Sequence, residues 1–208
     1  MIRAMNKHHA TRQKLLDTAL ELIWTSSYGN VTVDDICKAG GISKSSFYHF
    51  FKSKSDLALA AYREHWEQAF PEYNRVFSIL VAPLDRLANY CAFIKQDMQR
   101  WIDRTGKFPG CPYSLIGMEL STIDETVREE VQIMFSRIVR YLEQTIRDAQ
   151  REGAIDSQLD PKQTAEDIYS YILGLLLQAK VQNNAALLDR MESTILAMLG
   201  TKMTAHAR

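Results

Sequence analysis

The apolar residues of this 208-residue chain recur with helical spacing almost from end to end. No stretch combines β-branched alternation with hairpin signals, so the pattern points to an all-α fold. Leu15, Ala19, Leu22 and Ile23 make the stripe of a first amphipathic helix, and Tyr28-Gly29-Asn30 is expected to end it, with glycine as a left-handed cap. Thr32 is placed to cap a short second helix, with Asp35 in the reciprocal capping-box position, and Gly40-Gly41 stops that helix. Ser43 caps a third helix. Ser53-Lys54-Ser55-Asp56 opens a longer one over 57–70, which Pro71 is expected to interrupt. Further helices are predicted over 83–103, 113–120, 124–152, 161–182 and 185–199, with the most loop-like stretch at 105–112.

Hydrophobic residues are 46% of the chain and charged residues 24%, enough to bury a core and too apolar for a disordered chain. The apolar run 172–177 falls far short of the ~20 residues a membrane span requires. The first residues, Met1 to His9, contain no apolar signal segment, so neither secretion nor membrane insertion is expected. Cys37, Cys91 and Cys111 have neither CxxC nor Cys/His ligand spacing, which argues against a disulfide framework or a bound metal and for a reducing cytoplasm. The net charge of zero conceals an asymmetry. Residues 1–54 carry eight basic and four acidic side chains, a net +4 set against −4 for the rest. A basic front on an acidic body suits contact with a polyanion.

The segment Thr32 to Leu57, TVDDICKAGGISKSSFYHFFKSKSDL, carries the functional signal. It reads as two short helices joined by a tight glycine turn, the helix-turn-helix pattern whose second helix enters the major groove of DNA. That second helix starts with small polar residues and one lysine, which approach base edges and phosphates without steric bulk. Phe47 with Phe50 or Phe51 would fix its inner side on the core, while Tyr48 and His49 can bond phosphates and so set register. Lys54 begins the next helix, where an ammonium group and a helix N-terminus can share a phosphate.

With these residues in view, 11–57 resembles the DNA-binding domain of the tetracycline-repressor (TetR) family of bacterial transcription regulators. Thr32, Ile36, Ala39-Gly40, Ile42-Ser43, Phe47-Tyr48, Phe50 or Phe51, Lys54 and Leu57 follow the family's order and spacing. Ser45 departs from it, standing where many members have glycine. A weaker likeness extends to Gly110-Cys111-Pro112 and Met118-Glu119-Leu120. The resemblance implies a helix-turn-helix domain with a basic arm over 1–55 and a helical effector-binding and dimerisation domain over 56–208. It implies that Thr32 donates to a phosphate, that Ser43, Lys44 and Ser46 face the groove, and that Tyr48, His49 and Lys54 hold the backbone. It also implies a palindromic operator, a homodimer built through the last two long helices, and a small-molecule effector that releases DNA, without cofactor or membrane.

The C-terminal helices are rich in Met and aromatic residues, which suits an adaptable apolar pocket. Trp66, Phe70, Met98, Cys111 and Tyr113 are the ligand-binding candidates. Cys111 lies before a short helix whose dipole can favour the thiolate, so an electrophile or oxidant is one class of effector. Dimerisation is read from the apolar character of 168–181, where Gly174, Leu177 and Val181 extend beyond the main apolar band, and of the final helix. Two other functions compete with the regulator. One is an all-helical enzyme, against which stand the absence of a spaced acid/base pair, a phosphate loop and a metal cluster; Glu119 near Cys111 without a histidine is thin support for thiol chemistry. The other is a helical protein-interaction module.

Overall fold

The structure is a computed structural model that describes residues 2–201, with side chains from His8 onward. Arg3 and Lys7 of the basic arm and His206 of the tail lie outside the described side chains. The elements are α1 (Ile2–Ser26), α2 (Val33–Gly40), α3 (Lys44–Phe50), α4 (Lys54–Val76), α5 (Pro83–Thr105), α6 (Pro112–Leu120), α7 (Glu125–Arg151), α8 (Pro161–Gln182), a 3₁₀ helix (Ala185–Arg190) and α9 (Met191–Met198). No strand occurs among the described residues, and none of their helices is long and apolar enough to cross a membrane.

Two compact units divide the chain. The first is 1–70 with 112–131, and the second is 71–111 with 132–208. The unit that contains the helix-turn-helix therefore extends past residue 55 and takes in α6. Its buried side chains include Leu15, Leu16, Ala19, Ile23 and Trp24 of α1, Ile36 of α2, Phe47 of α3, and Leu57, Ala58 and Ala61 of α4. Ile116 and Leu120 of α6 are buried too. A Cβ on Gly117 would stand 3.1 Å from Val131 Cγ1, so glycine sets how closely α6 lies to the start of α7. In the second unit, α5, α7 and α8 bury Leu87, Tyr90, Ile94, Leu142, Ile146, Ile168, Ile172 and Leu176. A charged pair is enclosed with them: Arg86 Nη1 donates to Asp148 Oδ2 at 2.5 Å, and both side chains are under a tenth exposed.

Several local expectations hold. Thr32 and Asp35 form the capping box, Ser43 caps α3 through the Ser46 N–H, and α8 begins at Pro161. Four depart. Pro71 does not interrupt α4; it sits exposed within the helix, where water can take up the Glu67 carbonyl that loses its partner. The last helix is not one element. Ala185, Leu188 and Met191 fall three apart, the period of a 3₁₀ turn, which buries Leu188 and leads into α9 at the buried Met191. Of the glycine pair only Gly41 is left-handed, at φ 58°; Gly40 is helical, and a Cβ there would meet Thr18 Oγ1 at 3.4 Å. Finally, α1 stops at Ser26, and Ser27 rather than Gly29 takes the left-handed conformation, at φ 88°.

Candidate nucleic-acid interface

The helix-turn-helix is assembled from capping chemistry. Asp35 accepts from the Thr32 N–H at 2.9 Å and the Thr32 hydroxyl at 2.6 Å, and its own N–H donates back to that hydroxyl at 3.1 Å. The hydroxyl bond, then the backbone one, hold the Asp35 carboxyl below the usual carboxylate range. The left-handed Gly41 donates its N–H to the α2 carbonyls of Cys37 and Lys38 and turns the chain into α3. Phe47 is fully buried and Phe51 nearly so, which anchors the inner side of α3. Phe50 is half-buried, its ring 4.4 Å from that of His8.

The outer side of α3 holds most of the candidate DNA contacts. Ser43, Lys44, Tyr48 and His49 are exposed and Ser46 is half-exposed; Tyr48 keeps 60% of its surface open. The Ser43 hydroxyl lies 3.1 Å from Ser45 Oγ and 3.0 Å from Ser46 Oγ, so it caps the helix within a hydroxyl cluster. Lys44 Nζ stands 2.6 Å from Asp34 Oδ1. Both side chains are more than half exposed, so DNA can compete for the ammonium at small cost. His49 Nε2 is 3.2 Å from His8 Nε2 of α1. Sequence spacing had not signalled the Asp34 or His8 partner, since each depends on how two helices pack.

Lys54 is engaged inside the unit. Its Nζ donates to the carbonyls of Tyr28 at 2.8 Å and Val31 at 2.7 Å, and lies 3.9 Å from the centroid of the Tyr28 ring. Burial lowers its pKa, against the opposing charge of Glu119. An ammonium so occupied braces the α1–α2 loop from the first residue of α4.

The ligand-binding candidates are distributed over both units. Trp66 and Tyr113 are buried and Phe70 is 41% exposed in the first; the Tyr113 ring centroid is 5.9 Å from that of Tyr62. Met98 and Cys111 are buried in the second. There the loop before α6 is tied down by α8 and its cap: Lys180 Nζ donates to the Pro109 carbonyl at 2.8 Å, and the Phe108 N–H donates to Asn183 Oδ1 at 2.8 Å. Burial, and then the charge of Cys111, push the Tyr73 phenol far up. Tyr90 is raised by burial first, then by Tyr73 and Cys111. Tyr73, Phe77, Tyr90, Phe93 and Tyr141 form one aromatic cluster, with the Tyr73 and Tyr141 rings stacked 18° from parallel. Burial lifts the Cys91 thiol to about 12, so Cys91 is an inert packing group. No group of three or more metal-ligating side chains occurs among the described residues.

Comparisons with known proteins agree with this geometry. Residues 15–61 match the model for bacterial regulatory proteins of the tetR family, and residues 83–195 match a tetracyclin repressor-like C-terminal domain. The chain is 30% identical to the transcriptional regulator AcuR of Cereibacter sphaeroides, over 82% of this chain and 76% of that one. It is 26% identical to the transcriptional repressor DhaR of a Mycobacterium species, over 90% and 91% of the two chains. Among solved structures, a regulatory protein TetR from Rhodobacter sphaeroides superposes with a TM-score of 0.79 at 28% identity, covering 89% of this chain and 97% of that one.

Proposed function

The chain belongs to the tetracycline-repressor family of bacterial transcription regulators, and from that premise we propose that it is a repressor, binding a palindromic operator as a homodimer and released by a small-molecule effector. Membership makes it a DNA-binding regulator and not an enzyme. The observation that carries the operator reading is the outer side of α3, where Ser43, Lys44, Tyr48 and His49 stand exposed over a fully buried Phe47. With Thr32 and Ser46 they offer hydroxyls, an imidazole and one cation, a mixture suited to phosphates and base edges together.

Fluorescence anisotropy on a duplex selected by the protein from a randomised pool tests this reading. Lys44→Ala is expected to weaken binding by about tenfold and to reduce the salt slope by about one. A salt slope unchanged by Lys44→Ala would move α3 away from the phosphates, and no duplex binding at low salt would overturn the reading.

The effector reading takes Cys111, buried in the same unit as Tyr73, Tyr90 and their aromatic cluster, as the site of an electrophile. The thiolate sulfur would add to the β-carbon of an activated alkene, and the α-carbon would take up a proton, so nothing leaves. N-ethylmaleimide is then expected to weaken operator binding by about 5–150-fold, the usual span of coupling between two sites. Cys111→Ser should abolish that response and keep the affinity of the untreated protein. A Cys111→Ser protein as sensitive as the wild type would remove Cys111 from sensing.

A further inference from the structure

We propose that Glu119 of α6 is a positioning residue for DNA reading, holding the loop from which the helix-turn-helix starts. Its carboxylate accepts three hydrogen bonds from consecutive residues: from the Ser27 hydroxyl at 3.0 Å, the Tyr28 N–H at 3.0 Å and the Gly29 N–H at 2.7 Å. These groups lie about ninety residues from Glu119 along the chain, yet α6 belongs to the same compact unit.

The rest of the loop is shaped around that carboxylate. Ser27 adopts φ 88°, a conformation uncommon for a residue with a Cβ, and its hydroxyl is one of the three donors. A Cβ on Gly29 would stand 3.3 Å from Glu119 Oε2, so the absence of a side chain admits the carboxylate. The opposite polarity is met by Lys54, which takes the carbonyls of Tyr28 and Val31. An anion on the N–H groups and a cation on the carbonyls together fix residues 27–31 between α1 and α2. The next residue is Thr32, the cap of α2, and α3 follows through the Gly41 turn. The start of α2, and with it the direction of α3, is therefore referred to α6, which begins at the residue after Cys111.

The proposal rests on the DNA-reading role of α3, and its test separates the two. Duplex binding is measured by anisotropy on the pool-selected duplex and on unrelated duplex for the wild type, Glu119→Ala, Glu119→Gln and Arg63→Gln. Arg63→Gln is the control, since it removes a different ion pair of this unit, to Glu130. Circular dichroism supplies the folded fraction, and amide exchange reads residues 28 and 29. Glu119→Ala is expected to expose both amides and to lower selected-duplex affinity per folded molecule by about tenfold, with binding to unrelated duplex unchanged. Glu119→Gln, which keeps one acceptor oxygen, should fall between it and the wild type, and Arg63→Gln should match the wild type. If Glu119→Ala fails to fold, Glu119→Gln decides alone. A folded variant with wild-type duplex affinity overturns the proposal, even if it melts earlier, because Glu119 would then support only stability. A wild type that binds no duplex overturns this proposal and the operator reading together.

Discussion

Replacing Arg86 by methionine is expected to lower the thermal midpoint by about 10 °C. Arg86 is 3% exposed and makes three contacts: the Asp148 carboxylate at 2.5 Å, the Val81 carbonyl at 2.7 Å and the Ile79 carbonyl at 3.4 Å. Removing one member of a buried pair strands the other charge and costs about 3–5 kcal/mol. In a chain of this length each kcal/mol moves the midpoint by about 2–4 °C. Asp148 keeps Arg151 and Gln144 as donors at the surface side, which places the loss toward the lower end. Calorimetry of Arg86→Met, Asp148→Leu and the double variant resolves the pair. The double variant should be more stable than the two single losses added together, because it buries no orphaned charge.

The pH dependence has a definite sign. Burial would raise the Asp148 pKa, but the hydrogen bonds from Arg86, Arg151 and Gln144 outweigh it and leave the carboxyl below its ordinary value of 3.8. A carboxyl depressed by folding stabilises the protein above its unfolded pKa, and that contribution is lost as pH falls through the folded value. The gap between the wild type and Arg86→Met should be full at neutral pH and shrink once pH falls below that ordinary value. A gap independent of pH down to acid unfolding would mean that Arg86 acts by packing alone.

Both Arg86 and Glu119 show where sequence reading stops. Thr32 with Asp35, Ser43 and Gly41 were legible because a cap is completed within four residues of itself. Helical period likewise separates the buried side of α8 from its open side. Arg86 reads in sequence as one more polar residue on α5, and only its partner 62 residues away makes it part of the core. Glu119 has the same character, since its three donors lie in a loop that pattern alone assigned to a glycine cap. Lys54 holds the motif position of a phosphate contact, whereas the two carbonyls it meets depend on the fold of α1 onto α2 and leave no mark in the sequence. The 3₁₀ turn at 185–190 leaves no sequence mark for a different reason: spacings of three and four residues are hard to tell apart over so short a run. The candidate ligand residues rest on residue type and on the family resemblance, neither of which reports the unit in which a side chain is buried.

Substituting glutamate at both Leu177 and Val181 is expected to weaken operator binding by about 10²–10⁴-fold while leaving each chain folded. The two residues are 42% and 77% exposed, and a Cβ on Gly174 would meet nothing within 4 Å. Positions 174, 177 and 181 lie on one face of α8, opposite the buried Ile168, Ile172, Leu175 and Ala179. An open apolar stripe on a helix already anchored by its other side suits a two-fold partner, since an isologous interface sets the stripe against its own copy. The half-buried Leu187, Leu196 and Met198 of the 3₁₀–α9 segment extend the same apolar character. Carboxylates on this face would repel their symmetry mates and separate the protomers. Each α3 would then meet its half-site alone, forfeiting the avidity of a linked pair, which commonly amounts to the factor stated above. The salt slope should fall by about half, because half of the phosphate contacts are lost. Sedimentation would show a monomer of 23.8 kDa, and circular dichroism would keep its helical signature because neither residue is buried within the chain. A double variant that still sediments as a dimer would place the dyad elsewhere. One that is monomeric and yet binds with wild-type affinity would show that a single helix-turn-helix suffices for this operator.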